Sequence, residues 1–331
     1  MKFAHIKKIL IIRLSSLGDI ILTTPLLRSL KEKYPEMQID FCIREEFHDV
    51  IRHSPYKSEV YIYKPVPEAV AELTTQIVAN KYDAILDLQN NFRTKQLLKD
   101  IKVPIFKFKK HSIAKFLLVN FKLKRLSNLP QIPVRYAKAL KHFELDNSGA
   151  DIFLPEGITS DLPPSDKYIG LCPGSIHYTK MWPSSYYSEL GEILNLHRYK
   201  VVLFGGKKEK ALCESFMKHI PGAINLCNDD DLYRTCINMK QCKAVVTNDS
   251  GLMHVAAAMN IPVLAIFGST VKEFGFTPYK TKSTVIENFS LKCRPCSHIG
   301  RSECPEKHFQ CMMALSPIAI YQNLTYLLAK K

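Results

Sequence analysis

Residues 8–33 constrain the fold more than any other stretch. Ile9 to Ile12 form a continuous apolar run rich in β-branched residues, which reads as a strand buried on both faces, as in a parallel sheet. Ser15, Ser16 and Gly18 break that run, and from Ile20 the apolar residues Ile20, Ile21, Leu26, Leu27 and Leu30 recur at helical spacing. Strand, short polar turn and helix in this order are the unit of an open α/β sheet. Pro25 strains a long uninterrupted helix, so the pattern predicts a kink or a late start. Ligands of such sheets bind outside the carboxyl ends of the strands, often at helix N-termini. Ser15, Ser16, Gly18 and Asp19 occupy that position. With one Gly and an acid, the turn matches neither the dinucleotide fingerprint nor the P-loop. Asp19 is therefore a general base or hydroxyl-binding group, or it is a helix cap, a role that Asp fills well.

The same plan recurs along the chain. Strands are predicted at Gln38–Ile43, Val60–Tyr63 and Ala84–Leu88, with a helix at Ala69–Asn80. The strand at Ala84 runs into Asp87-Leu88-Gln89-Asn90-Asn91-Phe92-Arg93-Thr94, again polar residues between a strand end and a helix. The turn-rich stretch from Leu154 to Asp166 is the best linker. A second series follows, with strands at Tyr168–Cys172, Lys200–Phe204, Ala223–Leu226, Ala244–Thr247 and Pro262–Phe267. Helices are predicted at Tyr186–Leu196, Lys208–His219, Leu232–Met239, Leu252–Met259 and Pro317–Lys331. Such alternation predicts doubly wound parallel sheets. A chain of 331 residues is long enough for two domains, each burying its own core.

Hydrophobic residues make up 46% of the chain and charged residues 23%, as in an ordinary soluble globular protein. No apolar run approaches the roughly 20 residues of a membrane span. The N-terminus leads directly into the first strand, without the apolar core and cleavage site of a signal peptide. The expectation is a cytoplasmic chain whose ten cysteines are mostly reduced thiols. The formal charge of +15 points to an anionic partner: lipid surface, phosphorylated glycan or nucleic acid. Residues 93–125 are dense in Lys and Arg, interleaved with Phe106, Phe108, Phe116 and Phe121. Such a run is either a solvated face with apolar anchors or a lobe that approaches anionic lipid or glycan. No RRM, KH or zinc-knuckle signature supports nucleic acid as a partner.

Strand ends in the second half carry small or polar residues: Pro173-Gly174-Ser175, Gly205-Gly206, Asp249-Ser250-Gly251 and Gly268-Ser269-Thr270. Backbone N–H groups at such ends bind phosphate, and Lys180 follows the first of them, where it can neutralise a diphosphate. Together they point to a nucleotide-bearing ligand. Asp229-Asp230-Asp231 contains an Asp-x-Asp, which in other settings holds Mg²⁺ or Mn²⁺; here it precedes Leu232 and its helix and reads as an N-cap. Cys293, Cys296, Cys304 and Cys311, with His298 and His308 nearby, resemble a zinc site. The second C-x-x-C is missing, so free packed thiols are favoured and no metal site is assigned.

Assembled, these stretches resemble the lipopolysaccharide heptosyltransferases of glycosyltransferase family 9. The resemblance is carried by Ile12-Arg13-Leu14-Ser15-Ser16-Leu17-Gly18-Asp19-Ile20 with Thr24-Pro25, and by Asp87-Leu88-Gln89. It continues through Cys172-Pro173-Gly174-Ser175 with Lys180-Met181-Trp182-Pro183, Asn248-Asp249-Ser250-Gly251-Leu252-Met253-His254 and the Cys293–Met312 block. It implies a GT-B architecture: two Rossmann-like doubly wound domains facing across a cleft. Residues 1–155 would bind acceptor, residues 166–312 would bind the nucleotide sugar, and the helix in 313–331 would pack back on the N-terminal domain. The activity implied is inverting transfer of a heptose or related sugar from an ADP-sugar to the lipid A-core oligosaccharide. No metal or other cofactor is needed. The protein would be a monomer, peripheral on the anionic inner face of the inner membrane.

The roles implied are equally specific. Asp19 is the base, with Asp87 the next candidate. Lys180, helped by Ser175, holds the diphosphate. Gly205, Gly206 and Glu209 lie toward the adenosine; Asp249, Ser250, Gly251 and His254 complete the donor site. Ser15, Ser16, Gly18, Asp87 and Arg93 face the acceptor. Asn90 stands where many members have Gly, and Ser175-Ile176 where some have Thr-Thr. Two other classes remain: a sugar-nucleotide epimerase on the same architecture, and a non-enzymatic binder of anionic lipid or nucleic acid.

Overall fold

The computed structural model describes residues 5–123, 126, 129–141 and 143–330. Lys124 and Arg125 of the basic stretch lie outside the described residues. The chain divides into two compact units, residues 1–110 with 132–153 and residues 111–131 with 154–331.

The first unit holds a parallel sheet of β1 (Lys8–Ile12), β2 (Gln38–Ile43), β3 (Val60–Ile62), β4 (Ala84–Asp87) and β5 (Ile105–Lys107), in the order β3-β2-β1-β4-β5. Ile9 to Ile12 are fully buried, as a central parallel strand covered on both faces must be. Between these strands run α1 (Leu17–Ile21), α2 (Thr24–Lys33), α3 (Pro67–Ala79) and α4 (Phe92–Leu97). Pro25 divides the first helical stretch as expected: α1 ends at Ile21, and α2 starts anew with the proline in its first turn, where its missing N–H costs nothing.

Two further helices follow β5 along the chain, α5 (Ser112–Phe121) and α6 (Ile132–Ala137). The segment 132–153 is tied to the first unit through Arg28 of α2, which pairs with Asp146 and Asp151, while the Ser29 hydroxyl donates to Asp146. Residues 111–131, by contrast, leave the first unit. Leu118 of α5 and Leu126 pack with Val271 and Phe274 of the second.

The second unit has six parallel strands: β6 (Tyr168–Cys172), β7 (Lys200–Leu203), β8 (Ile224–Asn225), β9 (Ala244–Asn248), β10 (Val263–Phe267) and β11 (Ser283–Glu287), in the order β11-β10-β9-β6-β7-β8. Its helices are α7 (Ser184–Leu196), α8 (Lys210–Met217), α9 (Leu232–Met239), α10 (Gly251–Ala258), α11 (Gln310–Met313) and α12 (Pro317–Ala329).

The terminal helix α12 packs within the second unit. Ile320, Leu324 and Leu327, spaced i, i+4, i+7, bury their side chains in the second unit's core with Leu190 and Leu194 of α7. Each such burial contributes roughly 1.5–3 kcal/mol. Ser316 caps the helix by accepting the Ala319 N–H.

Strand order places the ligand positions. In the first sheet the chain runs outward from β1 through β2 to β3, then returns to β4 beside β1. In the second it runs from β6 to β8, then returns to β9 beside β6. Each reversal opens a crevice beyond the carboxyl ends of the two central strands, the position where ligands of open α/β sheets bind.

Candidate active site

At the β1/β4 reversal the short turn after β1 is held from the end of β4. Gln89, just past β4, accepts the N–H groups of Leu14 and Ser15 at 3.1 and 3.3 Å. Ser16 is the N-cap of α1 and Asp19 its N3 residue, in a capping box. The Asp19 Oδ2 accepts the Ser16 hydroxyl at 2.9 Å and the Ser16 N–H at 3.4 Å. Its Oδ1 lies 2.6 Å from the Arg13 guanidinium and accepts the Tyr136 hydroxyl at 3.3 Å. Asp19 thus caps its helix, and it also sits in an ion pair that capping does not require.

Arg13 is anchored by donating to the Ser15 and Leu88 carbonyls. Burial alone would pull this guanidinium down, but the charge and hydrogen bond of Asp19 leave it above its ordinary value. Burial pushes the Tyr136 hydroxyl up, so it stays a neutral donor. Lys110 approaches the same group: burial and the Arg13 charge lower its ammonium, against the attraction of Asp87 and Asp19.

At the β6/β9 reversal the second cluster forms. Asn248, the last residue of β9, accepts the Trp182 N–H at 3.0 Å and donates to the Pro173 carbonyl at 2.7 Å. This one side chain fastens the Lys-Met-Trp-Pro turn to the Pro-Gly-Ser turn. The Lys180 ammonium then meets Asp249 Oδ2 at 2.8 Å, and the Thr270 hydroxyl donates to the same oxygen at 2.6 Å. Carboxyl ends of β6, β9 and β10 therefore converge on one pair of charges. Ser250 is the N-cap of α10, whose first N–H groups have no partner within the helix. On the β7 side Glu209 accepts the Gly206 N–H at 2.9 Å. Its side chain passes so close that a Cβ on Gly174 would stand 2.5 Å from Glu209 Cγ, so any larger residue there would have to displace Glu209.

The turn after β10 is held from the cysteine block. Arg294 is 9% exposed and donates to the carbonyls of Gly268, Phe267, Thr270 and Asn288 and to Glu287 Oε2 at 2.8 Å. All five contacts come from one planar fork.

A model of glycosyltransferase family 9 (heptosyltransferase) matches residues 70–308. The chain belongs to glycosyltransferase family 9. It is 27% identical to lipooligosaccharide heptosyltransferase 2 of Haemophilus ducreyi, over 97% of this chain and 99% of that protein. Among solved structures it resembles the family 9 glycosyl transferase of Veillonella parvula, with a TM-score of 0.78 and 24% identity over 98% of both chains. It also resembles the ADP-heptose lps heptosyltransferase II of E. coli, with a TM-score of 0.72 and 25% identity over 97% of this chain and 98% of that one. The chain is thus a glycosyltransferase, and its two parallel sheets are those of the GT-B architecture.

Of the residues this family pattern singles out in the first unit, Ser15, Ser16, Gly18 and Asp19 share the β1 turn. Asp87 is different. It is 1% exposed, with Oδ1 accepting the Asn90 N–H at 2.6 Å and Oδ2 the Thr94 hydroxyl at 2.8 Å. Burial pushes its carboxyl up against these bonds. It braces the β4 turn. Asn90 has φ +39°, a left-handed conformation that Asn tolerates, and donates to the Phe108 carbonyl. Arg93 is exposed in the first turn of α4.

In the second unit Ser175, Lys180, Gly205, Gly206, Glu209, Asp249, Ser250 and Gly251 all lie in turns at the carboxyl ends of β6, β7 and β9. His254 does not: it is 4% exposed on α10, its ring edge-on to Phe276. The aspartate triplet divides as its N-cap reading requires. Asp231 caps α9 by accepting the Arg234 N–H, Asp229 pairs with Lys210, and Asp230 accepts the Lys207 N–H.

Burial, then the neighbouring thiols, raises the Cys296 thiol, and burial pushes Cys311 up to about 12. Cys293 Sγ lies 3.9 Å from His308 Nε2. Among the described residues no group of three or more His, Cys, Asp or Glu is placed to hold a metal ion. Arg13, Tyr136, Asn248, Thr270 and Arg294 carry the two clusters without having been assigned roles from the sequence. Arg13, Asn248 and Arg294 do lie inside the stretches that carry the family resemblance, which was the available signal.

Proposed function

We propose that this glycosyltransferase moves a heptose from an ADP-sugar onto the core oligosaccharide of lipopolysaccharide, with inversion at the anomeric carbon. The Lys180–Asp249 pair at the β6/β9 reversal carries the reading. It fixes a cation beside the N-terminus of α10 and the small-residue turns, a geometry prepared for a diphosphate leaving group. The E. coli enzyme it resembles is named for ADP-heptose and lipopolysaccharide, and its relative in Haemophilus ducreyi for lipooligosaccharide.

An inverting transfer needs a base at the acceptor hydroxyl and charge stabilisation at the departing diphosphate. Asp19 is the base in this reading. Arg13 and Tyr136 bind one of its oxygens and fix its orientation, and the other faces the acceptor side of the turn beside Ser16. As the acceptor oxygen bonds to the anomeric carbon, its proton passes to Asp19 and the carbon–oxygen bond to the diphosphate breaks. Lys180 and the N–H groups at the start of α10 receive the charge. Lys180 does the work that a divalent ion would otherwise do, so turnover needs no metal.

Titration calorimetry tests the donor half. ADP binds the full-length protein at least about tenfold more tightly than UDP or GDP. Lys180→Ala loses a charge-assisted contact worth roughly 1.5–3 kcal/mol, about 10- to 100-fold in affinity. Equal affinity for the three nucleotides, or an unchanged ADP affinity in Lys180→Ala, contradicts the reading.

A further inference from the structure

A cavity of about 420 Å³ opens at the carboxyl end of β11, within the roughly 300–1,000 Å³ of small-molecule sites. All its lining residues belong to the second unit. It is separate from the Lys180–Asp249 pair: β11 is the edge strand, two strands away from β9. Glu287, the last residue of β11, lines it. Arg294 takes the Glu287 Oε2. The other oxygen, Oε1, is also buried, and among the described residues no group donates to it. A buried charged acceptor left unpaired is costly, so a donor entering the cavity would be strongly favoured.

The surrounding groups decide what kind of donor. The Lys122 ammonium has three N–H bonds and gives them to the carbonyls of Val119, Cys293 and Pro295 at 2.7, 2.9 and 2.8 Å. The Arg294 fork is turned to the β10 turn, Asn288 and Glu287. The Ser290 hydroxyl donates to Asn288 Oδ1 at 2.7 Å, so its oxygen is left to accept. The cavity thus offers acceptors, namely Glu287 Oε1, Ser290 and the Glu273 carboxylate. Acceptors repel an anion, and the buried cations are already engaged. A cation is disfavoured as well, because Lys122, Lys292 and Arg294 outnumber Glu273 and Glu287 in the lining. A neutral ligand rich in hydroxyls meets both conditions. The wall adds a demand for an apolar face, with Leu118, Val271 and Leu291 in it. Phe289 is 73% exposed beside them, although the Lys272 ammonium stands 5.3 Å from its ring centroid. We propose that this cavity binds a neutral sugar ring, one hydroxyl donating to Glu287 Oε1 and the C–H face of the ring lying on Phe289. The inference concerns this cavity alone and does not rest on the identity of the sugar donor or acceptor.

The test uses the full-length protein, with the methyl pyranosides of glucose, galactose and mannose as probes. At least one should show saturation transfer from the protein by NMR, equally with and without ADP. Among its monodeoxy analogues one should bind at least about tenfold more weakly, because a site built to accept from a hydroxyl rejects the analogue that lacks it. Phe289→Ala removes an exposed side chain, so circular dichroism and thermal midpoint should match wild type while sugar affinity falls at least about tenfold. Lys292→Ala should leave that affinity unchanged. Four results overturn the proposal: no saturation transfer from any probe; equal affinity across the deoxy series or in Phe289→Ala; displacement of the sugar by ADP, which places it at the nucleotide turns; or tighter binding of glucose 6-phosphate that Lys292→Ala abolishes, which makes the cavity an anion site.

Discussion

Asp19→Asn should lower turnover by 10²–10⁴-fold, the usual cost of losing general-base help, roughly 3–5 kcal/mol. The amide keeps the size of the side chain and still accepts at the N-cap of α1, so the fold survives. It is not silent for stability. Arg13 is left with the Ser15 and Leu88 carbonyls alone, and a buried guanidinium without its counter-charge costs about 1–3 kcal/mol. A fall of a few degrees in thermal midpoint is expected. ADP affinity should not move, since the groups proposed to hold the donor, Lys180 and Asp249, belong to the second unit. Turnover near wild type with normal ADP binding would make Asp19 a capping residue only. Asp87 would then be the next residue to test, although it is 1% exposed where the Asp19 side chain is 18% exposed.

The other large effect lies away from the reacting groups. Arg294→Met removes five donated hydrogen bonds and strands Glu287, whose side chain is 2% exposed. Breaking a buried pair from one side typically costs about 3–5 kcal/mol, which for a unit of this size lowers the thermal midpoint by roughly 6–20 °C. The turn carrying Thr270 loses its anchor at the same time, and with it the hydroxyl that orients Asp249. ADP binding should therefore weaken too. Arg294→Lys keeps the charge but not the planar fork, and should recover only a minor part. Adding Glu287→Gln to Arg294→Met should restore some of the lost stability by removing the stranded charge. A midpoint within about 2 °C of wild type in Arg294→Met would show that the cysteine block does not hold this turn.

The central strands were readable from sequence because parallel strands covered on both faces are mostly apolar runs, and β1, β6 and β10 are, while β2 carries the buried Asp40. The edge strands β5 and β11 were not. Ile105–Lys107 lies within a run of lysines, and Ser283–Glu287 has polar ends and half-buried residues. Both are recognisable only from the neighbour each pairs with. Strand order was equally hidden. The turns after β1, β6 and β9 were picked out by composition, but that they stand at chain reversals follows from crossovers that leave no local mark. Partners distant in sequence were the main omission: Tyr136 reaches Asp19 across 117 positions, and nothing near Tyr136 announces it. His254 is a different case. Its place in a family motif suggested a ligand contact, whereas the spacing of α10 turns it into the core. The terminal helix likewise follows its own apolar face, which fits α7 of its own unit.

The most direct test supplies the purified protein with ADP-heptose and a lipopolysaccharide core truncated before its heptose, and follows glycan mass and ADP together. The proposed function predicts that the core gains one heptose for each ADP released, and that ADP appears only when the core is present. Consumption or epimerisation of the nucleotide sugar without acceptor, or transfer from a UDP-sugar in place of ADP-heptose, would contradict it.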